Sequence, residues 1–195
     1  MFLKISLSNA FIVGLLLSAT PFSAFPSPPP TLKHQVMDGV NVDICLVDPT
    51  SPDYVRNSKN QDLIDIAHHL GINLFRLTDG GCGHGKANTN AWNKVLRKME
   101  ANGIAAIVTT EPPLAGVEMT PDSVKTIMST VIDNKIGTYP NVYGVDVINE
   151  PVLDDNNIPL IKQAISQIKS VYPDLRLSVG GWRTRPGFVA LARTS

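Results

Sequence analysis

The residues best suited to proton transfer in this 195-residue sequence stand at the end of an apolar run, Tyr143-Gly144-Val145-Asp146-Val147-Ile148-Asn149-Glu150-Pro151. A carboxyl whose surroundings raise its pKa can protonate a departing alkoxide near neutral pH, which makes Glu150 a candidate general acid. The plain alternative is that Asn-Glu-Pro merely ends a strand, because Pro151 lacks the N–H that a ladder needs. Arg76, inside the apolar Phe75-Arg76-Leu77, is a candidate of another kind, since a guanidinium in a buried strand is costly unless paired. A structural ion pair with Asp43 or Asp79 and a supporting role at a reactive carboxylate both satisfy that requirement. Asn149 and Glu150 carry a geometric tension: neighbours in a regular strand face opposite sides. Both reach one site only through a bulge or a local twist, and bulges occur at barrel rims and active sites.

The elements that must position these groups follow a regular beat. Residues 40–46 form a β-branched-rich run, and residues 61–70 place Leu63, Ile66, Ala67 and Leu70 on one helical face. Residues 71–77 read as a second strand, and residues 91–102 as a helix with Trp92, Val95, Leu96 and Met99 together, ended by Gly103. A third strand spans 104–109. Thr120 then opens a helix with Pro121 in its first turn and Val124, Ile127, Met128 and Val131 on the apolar stripe. A fourth strand covers 143–148, Ile161, Ala164, Ile165 and Ile168 mark a fourth helix, and residues 175–179 begin a fifth strand. Four and a half βα units imply a parallel sheet covered by helices. A doubly wound sheet and a closed barrel both satisfy this periodicity. Polar residues gather at the C-terminal strand ends: Asp43, Arg76 with Asp79, Glu111, Asn149 with Glu150, and Trp182 after the fifth. Barrel enzymes build their sites at that rim, so the expected fold class is α/β, a (β/α)8 TIM-type barrel truncated to its first four and a half units.

An apolar strand ending Asn149-Glu150-Pro151 as the fourth of such a series resembles the fourth-strand signature of clan A glycoside hydrolases, the group that includes the cellulase-like family 5. The resemblance implies that Glu150 is the acid/base and that Asn149 hydrogen-bonds the substrate 2-hydroxyl. Phe75-Arg76-Leu77 resembles the second-strand arginine of family 5-like enzymes, which implies that Arg76 supports the catalytic carboxylates. Trp182, after Gly180-Gly181, offers an indole face to a sugar ring or fills the core. The implied activity is hydrolysis of a β-linked polysaccharide or oligosaccharide with retention of configuration. Retention needs a second carboxyl ~5 to 5.5 Å from the first. The clan's nucleophile is a glutamate at the end of the seventh strand, and no glutamate follows Glu150 here. The third strand ends Thr109-Thr110-Glu111-Pro112 without the histidine that family 5 often carries nearby; Glu111 is the one candidate substitute for the nucleophile. A non-hydrolytic carbohydrate-binding or degenerate barrel protein is the alternative, keeping Arg76 and Trp182 useful with Glu150 idle.

Residues 1–25 read as a secretory signal peptide, with Lys4 ahead of an apolar run too short to span a bilayer. Residues 26–31 form a Pro-rich linker, leaving 32–195 as a partial barrel domain of a secreted, periplasmic or extracellular protein. About 170 residues then remain, against ~250 for a full barrel. Strands one and five would be left as open edges, so association or loose folding is expected of this chain by itself. Cys45 and Cys82 either bridge or stand as separate buried thiols. With 17 basic and 17 acidic side chains the net charge is zero, which offers no footprint for nucleic acid. No obligate protein partner is inferred. Gly80-Gly81-Cys82-Gly83-His84-Gly85-Lys86-Ala87 approaches a phosphate loop but has Ala87 where a Ser or Thr hydroxyl would meet Mg²⁺. His34, His68, His69, His84 and Cys82 do not assemble a three-ligand metal set in sequence, so no metal or cofactor is expected.

Overall fold

The computed structural model describes residues 37–79, 87–110, 119–149, 151 and 154–180. Strand β1 (Gly39–Asp43) stops earlier than its apolar run, and the chain turns into a single helical turn, α1 (Ile44–Val47). Ile44, Cys45 and Val47 are buried in that turn, and the Asp48 N–H closes it on the Ile44 carbonyl at 2.8 Å. A short apolar run has the same composition in a buried strand and in a buried turn, so periodicity alone cannot separate them.

Helix α2 (Leu63–His69) begins where Asp62 accepts hydrogen bonds from the N–H groups of Ile64 and Asp65, while Asp65 reaches back to the Asp62 N–H. This reciprocal cap satisfies donors that have no partner within the helix. Gly71, at φ +76°, turns the chain out of α2 towards β2 (Leu74–Thr78). Asn88 caps α3 (Thr89–Ala101), which buries Trp92, Val95, Leu96 and Met99, and β3 (Ala105–Thr109) follows.

Thr120 caps α4 (Pro121–Met128), with Pro121 in the first turn as its fixed φ favours. The apolar stripe continues to Val131, but the backbone widens after Met128 into a π-helical turn, Ser129–Asp133. Asn134 holds that turn by donating to the carbonyls of Ser129 and Thr130. Strand β4 (Val142–Asp146), helix α5 (Asn157–Val171) and strand β5 (Leu177–Ser178) complete the series.

The five strands are parallel and ordered β1-β2-β3-β4-β5. A doubly wound sheet reverses its strand order at a switch point. The unbroken sequential order is that of a (β/α)8-barrel wall. Val42, Phe75, Leu77, Ala106, Val108 and Val145 share one buried cluster with Trp92, Leu96, Ile127, Ile161 and Ile168 from the helices. At ~25 cal/mol per Å² of apolar surface, this sheet–helix layer is the main stabilising term of the fold. Among the described residues β1 and β5 are the edge strands, with Gly39, Val40 and Asn41 exposed on β1.

Candidate active site

Parallel register places side chains of equal height on the same face of neighbouring strands. Asp43 pairs with Thr78, Thr78 with Thr109, Thr109 with Asp146, and Asp146 with Ser178. Each follows an apolar residue of the helix-facing layer (Val42, Leu77, Val108, Val145 and the partly buried Leu177), so alternation turns this whole row to the opposite face. A polar row therefore crosses all five strands near their C-terminal ends. Two residues back lies a second row on that face, Asn41, Arg76, Ile107 and Gly144.

Arg76 leaves the lower row and reaches the upper one. Its Nη2 donates to Asp146 Oδ2 at 2.5 Å and to Asn149 Oδ1 at 2.9 Å. The Asp146 side chain keeps 7% of its surface exposed and that of Arg76 26%, so much of the pair's attraction escapes solvent screening. Ser178 Oγ lies 3.4 Å from Asp146 Oδ1. Gly180 packs against the same carboxylate: a Cβ there would stand 3.0 Å from Oδ2. Asp43 Oδ1 accepts the Thr78 hydroxyl. Thr110 is fully buried and donates its hydroxyl to the Val147 carbonyl, while its N–H bonds the Asp146 carbonyl at 3.0 Å.

The partner of Arg76 is neither of the two acids weighed for it from the sequence. Asp43 is in register with Thr78 rather than Arg76 and takes the Thr78 hydroxyl. Asp79 accepts the N–H of Ala87 at 2.7 Å, tying together the two ends of the segment between them. The acid that pairs with Arg76 is Asp146, which sequence reasoning passed over as one letter of an apolar strand. The signal was present: a lone acid in one buried strand and a lone base in another each demand a partner of opposite sign.

Asn149 stands beyond the regular part of β4, in a bend, so strict alternation no longer governs its direction. The backbone there remains held, since Val147 N–H bonds Ser178 O at 2.8 Å and Gly180 N–H bonds Ile148 O at 3.1 Å. A register shift does occur in β4, but at its start, between the Ala106–Val142 and Ile107–Gly144 pairs. Of the sequence-derived site residues, Arg76 and Asn149 come together directly, and Asp43 joins the same row three strands away from Asp146. Glu150, Glu111 and Trp182 lie outside the described residues, as do Cys82, His34, His84 and residues 80–86. Cys45 is disulfide-bonded. His68 and His69 sit on the exposed end of α2, where His68 Nδ1 meets the Asn102 carbonyl at 3.0 Å. Among the described residues no group of three or more His, Cys, Asp or Glu side chains could hold a metal ion. No helix among them is long and apolar enough to cross a membrane.

Neither protein-family profiles nor curated proteins match the sequence. Solved structures do resemble the fold. An endocellulase variant from Pyrococcus horikoshii in complex with cellotetraose aligns at TM-score 0.54 and 18% identity, over 75% of this chain and 51% of that one. The catalytic domain of the major endoglucanase from Xanthomonas campestris pv. campestris aligns at 0.52 and 15%, over 75% and 52%. A family 39 glycoside hydrolase from the gut symbiont Bacteroides cellulosilyticus WH2 aligns at 0.50 and 15%, over 73% and 31%. The chain thus spans about half the length of the two cellulases. At these identities the likeness concerns architecture alone: over about three-quarters of its length this chain shares the barrel fold seen in part of these enzymes.

Proposed function

We propose that this chain carries the sugar-binding and proton-donating half of a secreted glycoside hydrolase that cleaves a β-linked glycan with retention. The observation that carries the reading is the contact of Arg76 with Asn149 at the C-terminal end of β4. It anchors the residue immediately before Glu150 at the rim where barrel enzymes assemble their chemistry. In this reading Glu150 protonates the departing glycosidic oxygen and later deprotonates the attacking water, as microscopic reversibility requires. Asn149 binds a hydroxyl of the sugar, Arg76 supplies positive charge beside the reacting centre, and Trp182 stacks under a ring. The endocellulase and endoglucanase among the fold neighbours support a β-glucan as the first substrate to try.

Double displacement also needs a nucleophile, and no glutamate follows Glu150 within the 195 residues. In this reading the chain supplies the acid/base and not the nucleophile. The same observation favours a second reading, a carbohydrate-binding barrel without turnover. Hydrolysis of an aryl β-cellobioside by protein carrying this chain, compared with its Glu150→Gln variant, separates the two. Loss of the general acid should slow the reaction by roughly 10²–10⁴-fold. Equal rates would remove Glu150 from the mechanism, and binding with no turnover in either protein would favour the second reading.

A further inference from the structure

We infer that Asp146 is the positioning residue of this site, acting through Arg76 to fix which end of the Asn149 carboxamide faces a ligand. The inference rests on the sugar-binding reading for the identity of that ligand, but its geometry is independent of it. A carboxamide has one acceptor end and one donor end, whereas a guanidinium has donors only. The 2.9 Å contact from Arg76 Nη2 therefore claims Oδ1 of Asn149 and turns Nδ2 the other way. Among the described residues Nδ2 meets no acceptor, which leaves its two N–H groups for an incoming oxygen. The site presents a donor at this point and selects a hydroxyl or ether oxygen acting as acceptor.

Arg76 cannot impose that polarity unaided, because a long side chain with a quarter of its surface exposed has several rotamers open to it. Asp146 removes that freedom. Its Oδ2 takes the same Nη2 at 2.5 Å, and its own carboxylate is confined by the Ser178 hydroxyl on one oxygen and by close packing of Gly180 on the other. Both anchor residues sit on regular strands, which hold a site more precisely than loops do. Asn149, in a bend past the strand, takes its orientation from this chain of contacts. Replacing the carboxylate of Asp146 by a neutral amide frees the guanidinium, and the Asn149 carboxamide is then able to rotate and offer its acceptor end.

The test uses ¹⁵N-labelled protein, with the side-chain N–H resonances of Asn149 observed in the wild type and in Asp146→Asn, before and after addition of cellotetraose. The expected result is a distinct, dispersed Asn149 pair in the wild type that collapses towards unstructured values in Asp146→Asn, with about tenfold weaker cellotetraose binding. Unchanged Asn149 resonances and unchanged affinity in the variant would overturn the inference. Should Asp146→Asn not fold, Arg76→Lys serves, since one ammonium cannot reproduce the planar fork; the same collapse is expected and an unaltered Asn149 signal overturns the inference. A wild type that ignores cellotetraose would count against the sugar reading, while the ligand-free comparison would still decide the role of Asp146.

Discussion

Arg76 on β2 reaches past β3 to Asp146 on β4, bringing its Nη2 within 2.5 Å of Oδ2 across two inter-strand spacings. The span is possible because Arg76 starts one row below Asp146 on the same face and extends diagonally upwards. It crosses the sheet beside Thr109, whose buried hydroxyl has no hydrogen-bond partner among the described residues. The pair thus ties three consecutive strands together at the end where the candidate site lies.

Removing the cation should therefore cost stability as well as function. Arg76→Met leaves the nearly buried Asp146 without its partner, and breaking a buried pair in this way costs ~3–5 kcal/mol. The partial exposure of Arg76 places the expected loss at the low end of that range. Urea denaturation measures it directly, and a variant as stable as the wild type would show that water replaces the guanidinium without penalty.

The strand–helix alternation was legible because each helix carries an apolar stripe at helical spacing, as in Trp92, Val95, Leu96 and Met99. Thr120-Pro121 announced the start of α4 through cap chemistry that is local by nature. The turn at Ile44–Val47 was not legible, since burial makes a strand and a helical turn equally apolar. Nor was the partner of Arg76: choosing among Asp43, Asp79 and Asp146 depends on register between strands up to 70 residues apart in sequence. Asp43 and Asp79 were the two acids expected, but the parallel register assigned Asp43 to Thr78, and Asp79 accepts the Ala87 N–H instead.

A second charged cluster, on the helical side, governs stability against pH. Lys98 Nζ lies 2.6 Å from Asp62 and 2.8 Å from Asp65, and the Tyr54 hydroxyl donates to Asp62 at 2.6 Å. Burial pushes the Asp62 carboxyl up, but Lys98, Tyr54 and the Asp65 N–H outweigh it and hold the carboxyl below its ordinary value. A depressed carboxylate contributes stability above its unfolded pKa of ~3.9 and loses it as pH falls through the folded value. Burial pulls the Lys98 ammonium down, but its two carboxylate partners win and raise it, so its contribution fades only as pH climbs above ~10.4. Thermal melts should show the wild type losing stability below about pH 4, with a shallower acid limb in Asp62→Asn. Parallel acid limbs would mean the cluster is energetically silent.

Packing at the foot of the sheet yields a prediction of the opposite kind, from added volume. A methyl group at Gly137 would lie 2.5 Å from Cγ of the Tyr172 ring, closer than any real carbon contact. Gly137→Ala must displace the tyrosine that follows α5, and overpacking of this sort costs ~1–3 kcal/mol. The melting temperature should fall, and Tyr172→Ala in the same background should recover part of the loss. A neutral Gly137→Ala variant would show that the ring moves freely.

The most direct test of the account is where a β-linked oligosaccharide binds. In a titration of ¹⁵N-labelled protein with cellotetraose, backbone shifts are predicted to cluster on Asp43, Thr78, Arg76, Asp146, Asn149 and Ser178, the polar row and its arginine. Shifts confined instead to the groove between α4 and α5, around Lys125, Asp133 and Gln163, or no shifts at millimolar ligand, would contradict it.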